Sequence, residues 1–371
     1  MRLASFFFLV VWVLVLLRVI ANLLLVRRLK RPERRAEDRQ PFVSIIIPAL
    51  NEARAIERTL TAFLAQDYES FEIILVDGGS TDGTADIART IVHPRLVVIE
   101  GEELPPGWIG KSWALEQGSR IARGELLLFA DADAYYQPNA LCAAVAHIEH
   151  ERSVALLGLL PYFEMRGFWE NIVMPGLPML CLTLFPASLS NRSRVVGFAL
   201  AFGAGILVRR EAYERAGRHE AIKRAIPNDV GLARLLRRNG EVTEAVRADE
   251  FLSVRMYYGG GEILQGFTKN AFAALNRSYL LAVPFLLLVV GTGIYPYCAA
   301  LTGDSFAIAT VVLISAVRVI LFANLGYRLD YALFGQPLMA AFGFAIFLRS
   351  IWKTGIRRKV EWRGHTYDAE E

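Results

Sequence analysis

The stretch LLLFADAD, Leu126 to Asp133, is an apolar run that ends in two carboxylates one residue apart. An extended chain sends alternate side chains to opposite faces. The spacing therefore predicts that Asp131 and Asp133 point the same way past the end of a strand while Ala132 turns back. Such a pair is a clamp for one hard divalent cation. A cation held by so few protein ligands completes its shell with water and substrate phosphates, which implies a phosphate-bearing ligand. The same doublet also suits a solvated acidic turn, and on its own it does not choose between the two.

The flanking sequence bears on that choice. Upstream, VSIIIP (Val43 to Pro48) and FEIILVD (Phe71 to Asp77) are further short runs of β-branched and apolar residues that stop at a polar loop. Between them Ile56, Leu60, Phe63 and Leu64 recur at helical spacing, and a second helix is expected after Thr84. Strands alternating with helices predict an α/β fold with a mainly parallel sheet covered on both faces. Ligands of such sheets sit beyond the carboxyl ends of the strands. Asp77, Asp131 and Asp133, distant in the chain, are all expected at that edge. Their convergence on a chain of net charge +4 favours a binding site over a structural accident.

Composition divides the 371 residues unevenly: 54% are hydrophobic and 21% charged, with a mean hydropathy of +0.34. Residues 41–260 read as a globular domain large enough for a sizeable core. Residues 1–27 read as a retained transmembrane anchor, because the apolar run from Leu3 to Val26 would span roughly 36 Å as a helix and no A-x-A-like cleavage site follows it. Residues 28–40 form a basic juxtamembrane linker. The cluster Arg27, Arg28, Lys30, Arg31, Arg34 and Arg35 places the following domain in the cytoplasm by the positive-inside rule and attracts anionic headgroups; its position beside an anchor argues against nucleic acid as its partner.

Residues 261–278 are expected at the interface, residues 279–352 form a C-terminal membrane region, and residues 353–371 a basic cytoplasmic tail. Within that region Leu280 to Leu301 and Phe306 to Leu325 read as spans, and Leu338 to Ile351 reads as too short for a regular one. Three spans after a cytoplasmic domain would leave the tail, with KTGIRRK at Lys353 to Lys359, on the wrong side of the charge rule, so one segment is expected not to cross. Phe168 to Leu189 is apolar but interrupted by Pro175, Pro178 and Pro186, which argues for an interfacial or core segment rather than a spanning helix. Cys142, Cys181 and Cys298 show no ligand spacing and read as reduced thiols, and the five histidines form no metal-binding pattern. Oligomeric state is not readable.

Two further loops carry chemistry. GWIGKSWALEQG, Gly107 to Gly118, contains Gly-Lys-Ser but has Pro105 where a phosphate-binding Walker loop needs glycine. What remains is Lys111 at the start of a helix, where backbone donors favour an anion, so Lys111 is a candidate diphosphate contact or a solvated lysine. DGGSTDGT, Asp77 to Thr84, is either an ordinary polar turn with Asp82 capping the next helix or a loop whose glycines admit a ligand while Asp77 accepts from a base or ribose. Trp108 is either a stacking platform or a packing residue.

Taken in order, IPALNE (Ile47 to Glu52), DGGSTDGT, Gly110-Lys111 with ALEQG, and Asp131-Ala132-Asp133 resemble the family-2 glycosyltransferases of GT-A fold. The resemblance covers nearly the whole globular domain. It implies nucleotide-sugar contacts at Pro48, Asn51, Glu52, Asp77, Asp131 and Asp133, with the last two also holding a divalent cation, Mn or Mg. The family's general base lies in an acidic ED pair opening a helix. After FGAGILVRREAYERAG (Phe202 to Gly217), IPNDVGLARLLRRNG (Ile226 to Gly240) has Asn228 and Asp229 at that place, so Asp229 is the implied base, with a helix cap as its structural alternative. Processive synthases of the family carry Q-x-x-R-W before their C-terminal spans. Here Gln265, in RMYYGGGEILQGFTKN, lacks the Arg-Trp pair, which implies single transfer. This segment, the membrane layout and the closing EWRGHTY are similar to the bacterial lipid-directed branch: ceramide glucosyltransferase-like, hopanoid-associated and diaponeurosporenoate glycosyltransferases. Asn228, Gln265 and Lys269 are candidate acceptor or gating residues.

The expected reaction is inverting, non-processive transfer of a sugar from a nucleotide-diphosphate donor, a UDP-sugar in expectation, to a membrane lipid at the cytoplasmic face of the inner membrane. A sugar nucleotidyltransferase shares the sheet but wants a basic glycine-rich first loop, where this chain has PALNEARAI, Pro48 to Ile56. A lipid transporter with a cytoplasmic nucleotide-binding domain wants more spans and paired intramembrane charges.

Overall fold

The strands form where the sequence alternates its apolar residues between two faces. In the computed structural model they are β1 (Val43–Ala49), β2 (Phe71–Asp77), β3 (Leu96–Glu100), β4 (Leu126–Phe129), β5 (Ala134–Tyr136), β6 (Val154–Leu160), β7 (Tyr162–Phe163), β8 (Ile206–Arg209), β9 (Val242–Arg247) and β10 (Leu252–Val254), with a separate C-terminal pair, β11 (Lys359–Trp362) and β12 (His365–Asp368). The structure describes residues 2–31, 40–186, 191, 193–272, 275, 277–356, 359–362 and 365–368. Arg34 and Arg35 of the basic cluster and the side chain of Lys269 lie outside the described set. The chain divides into two compact units: Val26–Glu164 with Ala187–Met256, and Met1–Leu25 with Met165–Pro186 and Tyr257–Glu371.

The first unit is built on a seven-stranded sheet of order β3-β2-β1-β4-β8-β6-β9, beside a three-stranded sheet of order β5-β10-β7. In the large sheet β8 runs antiparallel to both its neighbours, β4 and β6, and every other adjacent pair is parallel. Ile45, Ile47, Ile73, Leu75, Leu126 and Leu128 enter one buried cluster with Ile56, Leu60 and Phe63 of the helix Ile56–Leu64. Ile46, Ile74, Val76, Leu127 and Phe129 enter the other, with Leu115 of the helix Gly110–Ile121 and Leu232 and Leu236 of the helix Asn228–Arg238. Each fully buried residue of this kind contributes about 1.5–3 kcal/mol. The second cluster demands close approach: a Cβ on Gly118 would lie 2.5 Å from Ile46 Cγ2.

Parallel registry aligns the carboxyl ends of the central strands. Ala49 stands opposite Asp77, and β4 ends at Phe129, two residues before Asp131. Pro48 is tolerated in a central strand because β1–β4 pairing stops at Ile46–Phe129, with Ala130 N–H donating to the Ile46 carbonyl, so the N–H that proline lacks falls beyond the ladder. Here the wider edge of the sheet opens into loops.

The juxtamembrane residues do more than carry charge. Leu29 N–H donates to the Arg247 carbonyl and Arg247 N–H to the Arg27 carbonyl, adding a short extended segment beside β9. The Arg27 guanidinium bonds Glu151 at 2.8 Å and the buried Glu244 at 3.2 Å.

The second unit holds the apolar helices, and three are long and apolar enough to cross a membrane: Arg2–Leu25, Ser305–Leu325 and Asp330–Gly355. Two expectations change. The run Leu280 to Leu301 divides into the helices Tyr279–Gly293 and Tyr295–Ala300, because Pro296 opens a new helix, and neither piece is long enough to cross. Leu338 to Ile351 instead lies within the longer helix Asp330–Ser350, which continues through Pro337. The proline-rich run forms two short helices, Phe168–Val173 and Gly176–Leu184, and residues 165–186 group with these apolar helices rather than with the sheet, interrupting the range 41–260. Arg318, fully buried in the helix Ser305–Leu325, donates to the carbonyls of Ala332 and Tyr331 and to Gln336 Oε1. Its charge is thus met by backbone and amide oxygens.

Candidate functional site

At the carboxyl edge of the sheet the two first loops are stitched together. Asn51, at φ 55°, accepts the Thr81 N–H on its carboxamide oxygen at 2.9 Å, and its own N–H donates to Ser80 Oγ. The Glu52 N–H donates to Thr84 Oγ1 at 2.7 Å, and the Ala53 N–H to Asp82 Oδ2. The Asn51 carboxamide therefore fixes one loop to the other. Beneath them Asp77, 5% exposed, accepts the N–H groups of Gly79 and Ser80 on Oδ2, at 3.2 and 3.0 Å, while its buried Oδ1 has no hydrogen-bond partner among the described residues. A buried carboxylate oxygen without a donor is costly and marks a place for an N–H or O–H from a ligand. Asp77 lines a cavity of about 380 Å3 together with Gly79, Ser80, Thr81, Arg89 and Gly101.

The acidic doublet takes a different backbone from the one its spacing predicts. Asp131 to Ala134 form a turn closed by the Ala134 N–H donating to the Asp131 carbonyl at 3.2 Å, so strand alternation ends before it. Ala132 is buried all the same, and Asp131 and Asp133 are half-exposed on either side of it. Lys111, in the first turn of the helix Gly110–Ile121, reaches across to bond Asp131 Oδ1 with its ammonium. Burial works against that charge, but Asp131, then Asp229 and Asp133, hold the ammonium above the ordinary lysine range. Asp131 and Asp133 offer the hard oxygen donors a divalent ion takes, and such an ion would share Asp131 with the Lys111 ammonium already bonded to it. Among the described residues there is no group of three or more His, Cys, Asp or Glu side chains placed to hold a metal.

Asp229 opens the helix Asn228–Arg238. Its carboxylate accepts the Val230 N–H at 2.8 Å and, across the chain, the Gly203 N–H at 3.0 Å. Burial pushes its pKa above the ordinary aspartate value; the Lys111 ammonium and these two N–H groups pull it partly back, and Asp131 raises it again. Gly203 is where the elements meet, since a Cβ there would lie 2.8 Å from Lys111 Nζ and 3.0 Å from Asp131 Oδ2. Pro48, Lys111, Asp131, Asn228 and Asp229 line one cavity together with His219. Gln265 is exposed on the helix Gly260–Ala271 of the other unit. Trp108 packs edge-on against Trp113, with ring centroids 5.0 Å apart.

Sequence reasoning passed over His219 and Gly203. The glycine lies within the FGAG segment already singled out; the histidine, alone after Gly217-Arg218, carries no spacing signal.

A mainly parallel sheet with acidic loops at its carboxyl edge and a lysine at a helix start defines a nucleotide-binding α/β enzyme domain. Residues 44–217 match the family described as Glycosyl transferase family 2. The chain is 26% identical over 336 residues to 4,4'-diaponeurosporenoate glycosyltransferase of Staphylococcus aureus (strain MRSA252), covering 88% of each. In fold it is similar to a mannosyltransferase of Pyrobaculum calidifontis, PcManGT, solved in complex with GDP-Man and Mn2+, with a TM-score of 0.54 at 20% identity, over 95% of this chain and 99% of that one. Residues 44–217 thus carry a family-2 glycosyltransferase domain of GT-A-like fold, and the chain also has three helices long and apolar enough to cross a membrane.

Proposed function

We propose that this glycosyltransferase moves a sugar from a nucleoside-diphosphate donor, a UDP-sugar in the first instance, to a hydroxyl or carboxyl group of a membrane lipid, one sugar per acceptor and with inversion. The observation that carries the reading is the convergence of Lys111, Asp131 and Asp229 on one cavity, with the unpartnered Asp77 oxygen at the same sheet edge. The relative from Staphylococcus aureus is named for a carotenoid acid, which supports a lipid acceptor here.

Each residue has a task in the transfer. Asp77 Oδ1 accepts an N–H of the base or a ribose hydroxyl. Lys111 supplies positive charge to the diphosphate. A divalent cation, Mn or Mg, held by Asp131 and Asp133 would neutralise charge on the departing diphosphate. The anomeric C–O bond to that diphosphate breaks as the acceptor oxygen attacks from the opposite face. Asp229 takes the proton of an acceptor hydroxyl, and its raised pKa makes it a stronger base than an ordinary aspartate. Pro48, Asn51 and Glu52 shape the donor loop, and Asn228, Gln265 and Lys269 are the candidate acceptor-side residues.

The membrane reading follows the same chemistry. With the basic residues after the first helix inside, the globular unit is cytoplasmic and the N-terminus is outside. Two long C-terminal helices then return the basic tail to the cytoplasm, which removes the conflict that three spans create. An acceptor with a hydrocarbon body stays in the bilayer, where tethering raises its effective concentration.

Membranes carrying the protein, incubated with a panel of radiolabelled nucleotide sugars and then extracted, test the proposal. The expected result is label in the organic phase with release of a nucleoside diphosphate. Pyrophosphate release would mean nucleotidyl transfer, and neither product would leave the proposal without a reaction.

A further inference from the structure

His219 is 1% exposed, lies edge-on to Phe129 and lines the cavity that holds Lys111, Asp131 and Asp229. The protons around it can be counted. Ser119 donates its hydroxyl proton to the Glu116 carbonyl at 2.8 Å, so Ser119 Oγ is left as the acceptor for Tyr213 Oη at 3.2 Å. Tyr213 has then used its only proton. Its oxygen must accept both the His219 backbone N–H, at 3.2 Å, and the proton on Nδ1, at 2.7 Å. The relay thus assigns the proton to Nδ1 and leaves Nε2 a bare lone pair, with no hydrogen bond to Nε2 among the described residues. Burial first, and then the nearby Lys111 charge, push the ring's pKa down to about 3, so it stays neutral.

A lone pair facing a small polar cavity is met by a donor of its lining or by water. Of the side chains lining the cavity only the Lys111 ammonium and the Asn228 amide have protons to give, and only the first is charged, with one of its three protons already directed at Asp131. No direct hydrogen bond joins His219 to Lys111 among the described residues, and the enclosed space, about 10 Å3, holds roughly one water, so the contact runs through a single bridging water. We propose that His219 is a positioning residue whose bare Nε2 accepts, through one bridging water, from the Lys111 ammonium and keeps it between Asp131 and Asp229. The inference rests on the glycosyl-transfer reading for its catalytic consequence, but not for its hydrogen bond.

Two experiments test it separately. In protein labelled with 15N-histidine, the His219 signals, identified by their loss in His219→Phe, should show a protonated Nδ1 and a bare Nε2, and Lys111→Met should shift the Nε2 signal. A protonated Nε2, or an Nε2 signal indifferent to Lys111→Met, overturns the proposal, and neither measurement requires turnover. In the transfer assay His219→Phe keeps the ring packing and removes the acceptor, whereas His219→Gln sacrifices packing and puts an oxygen where Nε2 stood. Turnover should fall about 10- to 100-fold in His219→Phe and recover substantially in His219→Gln. In a Lys111→Met background His219→Phe should cost less than about twofold more. A packing role predicts the reverse order, with Phe better than Gln, and that result also overturns the proposal. A wild-type protein that makes no glycolipid would refute the transfer reading instead, leaving the 15N spectra to decide the hydrogen bond.

Discussion

The Lys111 ammonium bonds Asp131 from the first turn of its helix, and the same ammonium is held by the charge of Asp229. One cation therefore serves two carboxylates assigned different roles, donor side and acceptor side. Lys111→Met should raise the pKa of Asp229, whose opposing influences include that ammonium. The acidic limb of the turnover profile should move to higher pH, and donor affinity should fall by about tenfold, equivalent to ~1.4 kcal/mol. A pH profile that stays in place would separate Lys111 from Asp229.

Asp229 accepts two backbone N–H groups, so its carboxylate is fixed whether or not it acts as a base. Asp229→Asn keeps one acceptor oxygen, and so one of the two N–H bonds, which reach different carboxylate oxygens, while abolishing proton uptake. Turnover onto a hydroxyl acceptor should drop by about 10²–10⁴-fold with donor KM little changed. An equal loss in donor affinity and turnover would reduce Asp229 to a structural cap.

The strands that carry the site were legible because β1, β2 and β4 are continuous apolar runs, whose alternate residues divide cleanly between two buried clusters. Asp77 and Lys111 could be placed because each sits at the junction of a regular element with a loop. The C-terminal helices were less legible. Hydropathy does not reveal that Pro337 is carried inside a long helix while Pro296 starts a new one; the close approach of Gly293 to Ala340 Cβ belongs to packing. His219 was invisible for a related reason, since the tautomer that gives it meaning is set by Tyr213 and by Ser119, 94 residues away from that tyrosine.

Asp77 presents a further test because one of its oxygens is satisfied and the other is not. Asp77→Asn can keep the Gly79 and Ser80 bonds on its oxygen, but puts an NH2 group where Oδ1 stood. Thermal stability should hold or rise as the unmatched buried charge disappears. Nucleotide affinity, read by calorimetry with the free nucleoside diphosphate, should fall by roughly 1.5–3 kcal/mol, the usual worth of a hydrogen bond to a charged group. Equal binding by both proteins would mean that no ligand donor reaches Oδ1.

At the opposite, amino edge of the sheet Glu72 gives a pH prediction free of the site. It is 5% exposed and accepts Ser44 Oγ at 2.7 Å, the Arg123 N–H at 2.8 Å, and a two-pronged Arg123 guanidinium at 2.9 and 2.7 Å. Burial disfavours its charge, yet the Arg123 and Ser44 bonds outweigh burial and hold its pKa below the ordinary glutamate value. A carboxylate depressed on folding adds stability that is fully present above its unfolded pKa, near 4.3, and lost as the pH falls through the lower folded value. Glu72→Gln should therefore melt earlier than wild type at about pH 7, by the equivalent of about 1–3 kcal/mol. Because the Arg123 side chain is largely exposed, solvent screening keeps the effect towards the lower end. The gap between the two melting temperatures should narrow as the pH drops below about 4. A gap that is constant with pH would mean that the hydrogen-bond geometry, and not the charge of Glu72, joins the starts of β1, β2 and β4.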